Sequence, residues 1–264
     1  MSVDRSAIGG PAARRSGRGA VLAVVAGAAL LVGWKLLTVI GGYPPFVLPP
    51  PELVAARFVG AWADGTMLPH TVTTLEEVLL GFTVGASAAL VVGYALARST
   101  LIEEAFSPYL VAAQATPILA LAPLIALWFG SGILSKVVIC SLIVFFPVAI
   151  STMVGVRSVD GQLLELCRAL RASRRQILIR VEVPGALPSI FGGLRVGVTL
   201  AVVGAIIGEW AGGDTGLGVL INLARGSLFD TPLLFATLAT IAIVGVSLYV
   251  LVVVIEGRLV GDRD

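Results

Sequence analysis

His70, Cys140 and Cys167 are the whole imidazole and thiol complement of the chain. A metal centre or an activated nucleophile needs such groups close together or repeated at a ligand spacing, and these three stand alone. Both cysteines read as small packing residues, and His70 is expected in a loop after Pro69. No Ser–His pair or carboxylate constellation falls where hydrolysis could use it, and no Gly-x-x-x-x-Gly-Lys-Ser/Thr loop is present to hold nucleotide phosphates. The stretch "GGDTGLG" from Gly212 has glycines like those of a phosphate loop but lacks the lysine, so it is expected as a tight loop leading into a short helix. An enzyme is therefore not expected, and neither a metal nor a cofactor is assigned to the chain itself.

What does stand out is "LLELCRALRASRRQILIRVEVPGALP", Leu163 to Pro188, which carries five arginines in an otherwise oily sequence. Of the 264 residues, 57% are hydrophobic and 13% charged, against roughly 25% charged in soluble domains. Charge-free runs cover Val78–Ala97, Ala105–Ser135, Val137–Val156 and Thr231–Ile255, and a hydrocarbon core of ~30 Å needs about 20 helical residues. A further span runs from about Ala20 to Ile40, with Lys35 near enough to its end to reach the interface. The sixth must begin near Ser189, because only thirteen uncharged residues separate Arg195 from Glu209. The first span is too long for a signal-peptide apolar region, and no small-residue cleavage site follows it.

Six spans put both termini on one face. With the N-terminus cytoplasmic, that side collects Arg5, Arg14, Arg15, Arg18, Arg98, Arg157, Arg168, Arg171, Arg174, Arg175, Arg180, Arg195, Arg258 and Arg263, leaving Arg57, Lys136 and Arg225 outside. The positive-inside rule selects this orientation. Residues 1–19 then form a cytoplasmic tail and 20–40 the first span. A core over 72–259 follows, with spans at about 75–97, 107–129, 137–156, 189–209 and 231–255 and a cytoplasmic loop at 157–188.

Within that loop, Leu163, Leu164, Cys167 and Leu170 recur at helical spacing, while Gln162, Glu165, Arg168 and Arg171 share the opposite face. Asp160 can cap this helix. Ser173 and Gln176 form a capping box for a second short helix, which Pro184 is expected to end before Pro188 opens the next span. Five arginines forbid insertion, so the hairpin sits at the cytoplasmic face, where it would either lie on headgroups or present a ridge to a partner.

The spacing chooses between these. Glu165-Leu166-Cys167, three residues, Arg171, nine residues, Val181, one residue, Val183-Pro184 resembles the loop pattern of permease subunits in ATP-binding-cassette importers: Glu-Ala-Ala, three residues, Gly, nine residues, Ile, one residue, Leu-Pro. Departures are Leu166 and Cys167 for the alanines and Arg171 for the glycine. "FFPVAISTMVGVRSVD" from Phe145 and "PSIFGGLRVG" from Pro188 are similar to the same family. "LPPPELVAARF" from Leu48, "LLGFTVGASAALVVGYALARS" from Leu79, "TPILALAPLIALWFGSG" from Thr116 and "GEWAGGDTGLGVLI" from Gly208 resemble its nitrate, sulfonate and taurine branch and their pyrimidine-precursor relatives.

That resemblance implies an all-α, multi-pass protein of the bacterial inner membrane with the type I importer transmembrane fold. It implies a second permease copy or homologue, an extracytoplasmic binding protein, and a pair of ATPases that carry ATP and Mg. The ATPase would contact Leu163, Leu164, Glu165, Cys167, Arg168, Leu170, Arg171, Ala172 and Ser173, with Pro184 bounding the loop. Gln114 and Thr116 are the expected polar groups of the pathway, on a stretch that Pro108, Pro117 and Pro123 break. Glu209 beside Trp210 would either gate solute or sit in the outer interface, the latter being favoured. Gly81, Gly85, Ala89 and Gly93, continued by Ala97, make a small-residue stripe for helix packing. An ion-coupled secondary transporter or a channel is the alternative, disfavoured because the spans hold almost no ionisable groups. No nucleic-acid partner is expected, and the solute is left open.

Overall fold

The computed structural model describes residues 12–261, and among them all regular structure is helical. The order is α1 (Ala12–Ile40), α2 (Pro51–Ala63), α3 (Met67–Arg98), α4 (Thr100–Ala115), α5 (Ile118–Phe129), α6 (Ile133–Arg157), α7 (Gly161–Ala169), α8 (Arg174–Ile177), α9 (Val183–Gly212), α10 (Leu217–Gly226) and α11 (Thr231–Val260), with a wide π turn over Leu178–Glu182. Among the described residues, four unbroken stretches are long and apolar enough to cross a bilayer: α3, α6, the run Arg174–Gly212 that contains α9, and α11. The expected tail over 1–19 lies largely outside the described residues, and α1 is already helical from Ala12.

Three of the expected boundaries change. The span at 107–129 is two helices, because Thr116 and Pro117 are both extended between α4 and α5. Only Pro117 breaks the chain: it forces the preceding residue out of the helical region, whereas Pro108 and Pro123 sit inside helices. His70 is not in a loop but in the first turn of α3, where Pro69 takes a position whose N–H has no helical partner anyway. Pro184 does not end a helix either. It occupies the first turn of α9, and the wide turn before it, closed by Val183 N–H donating to Leu178 O, lets the helix axis continue through a proline.

The core is α6 pressed between α3 and α9. Val78, Ala86 and Ala89 of α3 meet Cys140, Val144, Val148 and Ala149 of α6, and Val198, Ala201, Val202 and Ala205 of α9 close the other side. Small residues make this possible. A Cβ at Gly85 would stand 2.6 Å from Ser141 O, and one at Gly93 2.5 Å from Ala149 O. A Cβ at Gly81 would run into the Cys140 Cβ, and Ala89 is fully buried. From the other side, a Cβ at Gly204 would be 2.9 Å from Cys140 Cα. Cys140 is thus wedged between two glycines, its thiol turned to Ala201 O at 3.4 Å.

At the outer end, α2 and α10 cap the bundle through Ala61, Leu217, Leu220 and Ala224 against Met67, Leu233 and Ala236. Arg57 Nε donates to Asp230 Oδ2 at 2.7 Å, and Asp230 also caps α11 through Leu233 N–H. Asp64, beyond α2, accepts from Thr66 and then from Arg57, and these bonds hold its carboxyl below the usual range. Lys35 finds Glu52 as an ion partner, and Arg195 pairs with Glu256 of α11. Replacing Gly85 by Val is expected to destabilise the folded protein by about 1–3 kcal/mol through overpacking. Thermal unfolding in detergent checks this, with Gly192→Ala, where nothing lies within 4 Å of the new methyl, unfolding no earlier than wild type.

Candidate functional site

The cytoplasmic loop is a capped helical hairpin. Asp160 Oδ1 accepts from Gln162 N–H at 2.8 Å to start α7. Ser173 and Gln176 exchange the two bonds of a capping box, Ser173 N–H to Gln176 Oε1 at 2.7 Å and Gln176 N–H to Ser173 Oγ at 3.2 Å. Between them α7 ends in a Schellman motif: Ala172 N–H donates to Cys167 O, and Arg171 N–H to Arg168 O, both at 2.9 Å. The residue at the turn of that motif must be left-handed, and Arg171 is, with φ 56°. The position where the loop pattern has glycine therefore keeps a glycine conformation with an arginine in it.

None of α7 is buried. Leu163, Leu166 and Leu170 are open, as are Glu165, Arg168, Arg171 and Ser173, while Leu164, Cys167 and Ala172 are half-buried. Exposed leucines thus stand beside charged side chains on a hairpin fixed by its caps. Pro184 lies behind it, at the start of α9. Glu182 is a spacer in the sequence pattern, yet its side chain is 1% exposed. No periodicity marks it, because its partners come from α3.

The break between α4 and α5 opens a cavity of about 580 Å³ lined by Ala113, Gln114, Thr116, Leu121, Phe146 and Leu200 among others. The backbone there is largely satisfied locally: Thr116 Oγ1 donates to Ala112 O at 3.0 Å, and Thr116 N–H to Ala113 O at 3.3 Å. That is the condition for irregular backbone at membrane depth. Gln114 and Thr116 are brought together in this wall. Glu209 is elsewhere.

Glu209 is not an interfacial carboxylate; it is 2% exposed. Thr74 Oγ1 donates to its Oε1 at 2.5 Å, and Gly218 N–H donates to its Oε2. Thr74 Oγ1 in turn accepts from Leu217 N–H at 2.8 Å, and His70 Nδ1 lies against the same turn, 2.8 Å from Gly216 O and 3.0 Å from Gly216 N. The Leu217 and Gly218 amides of the "GGDTGLG" turn are spent on Thr74 and Glu209, and the carboxylate they enclose is the opposite of a phosphate site. Trp210 donates its indole N–H to Gly218 O at 2.9 Å, so it also belongs to this turn. Sequence reading missed the buried charges Glu77 and Lys136, the latter satisfied by the Ser131 and Gly212 carbonyls. The available signal was Glu77 one turn after Thr74 on a helix whose next charge is Arg98.

The sequence model of the family described as "Binding-protein-dependent transport system inner membrane component" matches residues 81–261. The chain belongs to that family. It is a multi-pass inner-membrane permease subunit of an ATP-binding-cassette transporter. The permease is 49% identical to the riboflavin transport system permease protein RibX of Chloroflexus aurantiacus, over 88% of this chain and 86% of that one. It is 34% identical to the formylaminopyrimidine transport permease protein ThiX of Halalkalibacterium halodurans, over 82% and 86%. With the taurine transport system permease protein TauC of Escherichia coli it shares 32% identity over 82% and 80%. Its fold is similar to a chain of the inward-facing MetNI methionine ABC transporter, at a TM-score of 0.63 and 18% identity, covering 71% of this permease and 93% of that chain.

A left-handed backbone costs a non-glycine residue about 1–2 kcal/mol. Arg171→Gly in the permease should therefore tighten the loop by about that amount, read as slower amide hydrogen exchange over 161–177.

Proposed function

We propose that the permease forms the translocation pathway for an uncharged, flat heterocycle of the flavin class, handed over by an extracytoplasmic binding protein. A separate ATPase, which holds ATP and Mg, drives it from the cytoplasmic side. The observation that carries the solute class is the cavity at the α4–α5 break: its described walls are apolar except for Gln114 and Thr116, and no charged side chain faces it. An anion such as a sulfonate would leave its charge there unpaired, which is costly at membrane depth. A ring system would bury its faces against Phe146, Leu121 and Ile143 and hydrogen-bond at its edge. The 49% identity to a riboflavin permease supports the same class.

In this reading the α7–α8 hairpin is the ATPase contact. Leu163, Leu164 and Leu170 supply apolar area, Glu165 and Arg168 supply polar contacts, and the Arg171–Ser173 turn forms the tip. A coupling element must move as a rigid body, and caps at both helix starts together with the Schellman turn make this one stiff. A second copy or a homologue of the permease would close the pathway on the open side of the cavity, which Leu142 and Ile150 leave exposed.

Proteoliposomes holding the permease, its ATPase and its loaded binding protein are expected to accumulate riboflavin when ATP is supplied. Accumulation of taurine instead would overturn the solute class, and uptake by the permease alone down an ion gradient would overturn the ATPase. Gln114→Ala should lower kcat/KM for uptake about fivefold to tenfold, the worth of one neutral hydrogen bond. Glu165→Lys and Arg168→Glu should each separate ATP hydrolysis from uptake while the permease still inserts, checked by measuring both rates in the same vesicles.

A further inference from the structure

The hairpin is a cantilever: no residue of α7 is fully buried, so a load on it reaches the membrane helices chiefly through its two ends. One end is α6, where Ser158 still donates to Val154 O. The other is α8 and the wide turn Leu178–Glu182. A π turn holds one residue more than an α turn, which rotates everything before it by about 100° around the axis of α9. At the end of that turn stands Glu182.

A carboxylate this deeply buried has to be paired. Arg98 Nη2 lies 2.9 Å from Glu182 Oε1, and Tyr94 OH donates to Glu182 Oε2 at 3.1 Å. Arg98 Nε donates back to Tyr94 OH at 3.1 Å, and the guanidinium also sits 5.7 Å from the Tyr94 ring centroid. The three side chains form a closed ring between α9 and the last turn of α3. A second set of bonds ties that end of α3 to its neighbours. Arg157 of α6 donates to Leu96 O at 3.0 Å and holds Glu103 of α4 with both Nη atoms, at 2.8 and 2.5 Å. Beneath this, Val156, Ala186 and Ile190 pack with Tyr94 and Ala97.

We propose that Glu182, with Arg98 and Tyr94, is the joint through which displacement of the hairpin is passed to α3, and through α3 to α6 and the wall of the cavity. Glu182 is a positioning residue: it touches neither solute nor ATPase, and its work is to make the loop and α3 move as one body. Without the ion pair the hairpin would still dock but would swing on the π turn. The inference rests on the reading that the hairpin binds the ATPase.

The test needs no knowledge of the solute. In a Cys167→Ser, Gln114→Cys background, the assembled permease and ATPase are labelled with a maleimide, with and without ATP, Mg and vanadate. The only other thiol, Cys140, is buried. Nucleotide is expected to change the labelling rate at position 114 about fivefold or more, the lower end of an ordinary coupling between sites. In E182Q, R98Q and E182Q/R98Q that ratio should fall to about one, the double variant being no worse than either single, while the ATPase co-purifies at its normal ratio. E182Q/R98Q carries the decision if a single variant fails to accumulate, because two neutral amides replace the pair without leaving a buried charge alone. An unchanged ratio in the double variant, or loss of ATPase binding along with it, would overturn the joint and leave the docking reading standing. An ATPase that binds the permease equally well when the 161–177 hairpin carries Glu165→Lys and Arg168→Glu together would remove the docking reading and this inference together.

Discussion

At Gly85 and Gly93 there is no space for a side chain between α3 and α6: a methyl group would meet the backbone of the facing helix at 2.6 and 2.5 Å. Lipid tails are as apolar as leucine, so burial alone does not hold two membrane helices together; close backbone approach and the dispersion contacts it allows do. The same logic repeats on the far side of α6, where glycines of α9 face Cys140 and Ser151. The slab α3–α6–α9 is therefore the stiff reference against which every other part is placed.

That stiffness permits irregularities. A helix broken at Pro117 survives at membrane depth because α6 and α9 stand behind it and Thr116 occupies the carbonyls freed by the proline. Lys136 and Glu209 follow the same pattern of internal satisfaction: Lys136 is held by carbonyls, and Glu209 by a hydroxyl and an amide. The outer turn, α10 and the end of α9 are thereby one unit, and no charged side chain lines the cavity at the α4–α5 break.

On the cytoplasmic side the demand is the opposite. A hairpin without a fully buried residue in α7 has to hold its shape by local bonds: an Asp cap, a Schellman turn and a capping box. Arg171 in the left-handed position shows how strong that local demand is. The turn keeps its geometry even where the residue opposes it, and a basic side chain is placed at the tip.

The sequence alone determines what depends on near neighbours. Hydropathy over ~20 residues finds the four long apolar helices, and arginine asymmetry orients them. Asp160, Ser173 and Gln176 show the hairpin because caps act within three residues, and the Gly81–Ala89–Gly93 register shows a packing face because helical neighbours lie four apart. The structure decided whatever requires two distant segments to meet. Pro184 reads as a stop until the wide turn before it is seen. Glu209 reads as an interfacial group until Thr74 and Gly218 close around it, and Glu182 as a spacer until Arg98 and Tyr94 arrive from α3. Burial, cavities and ion pairs are set by the packing of whole helices, and no local pattern of residues encodes which side chain from another helix will stand opposite.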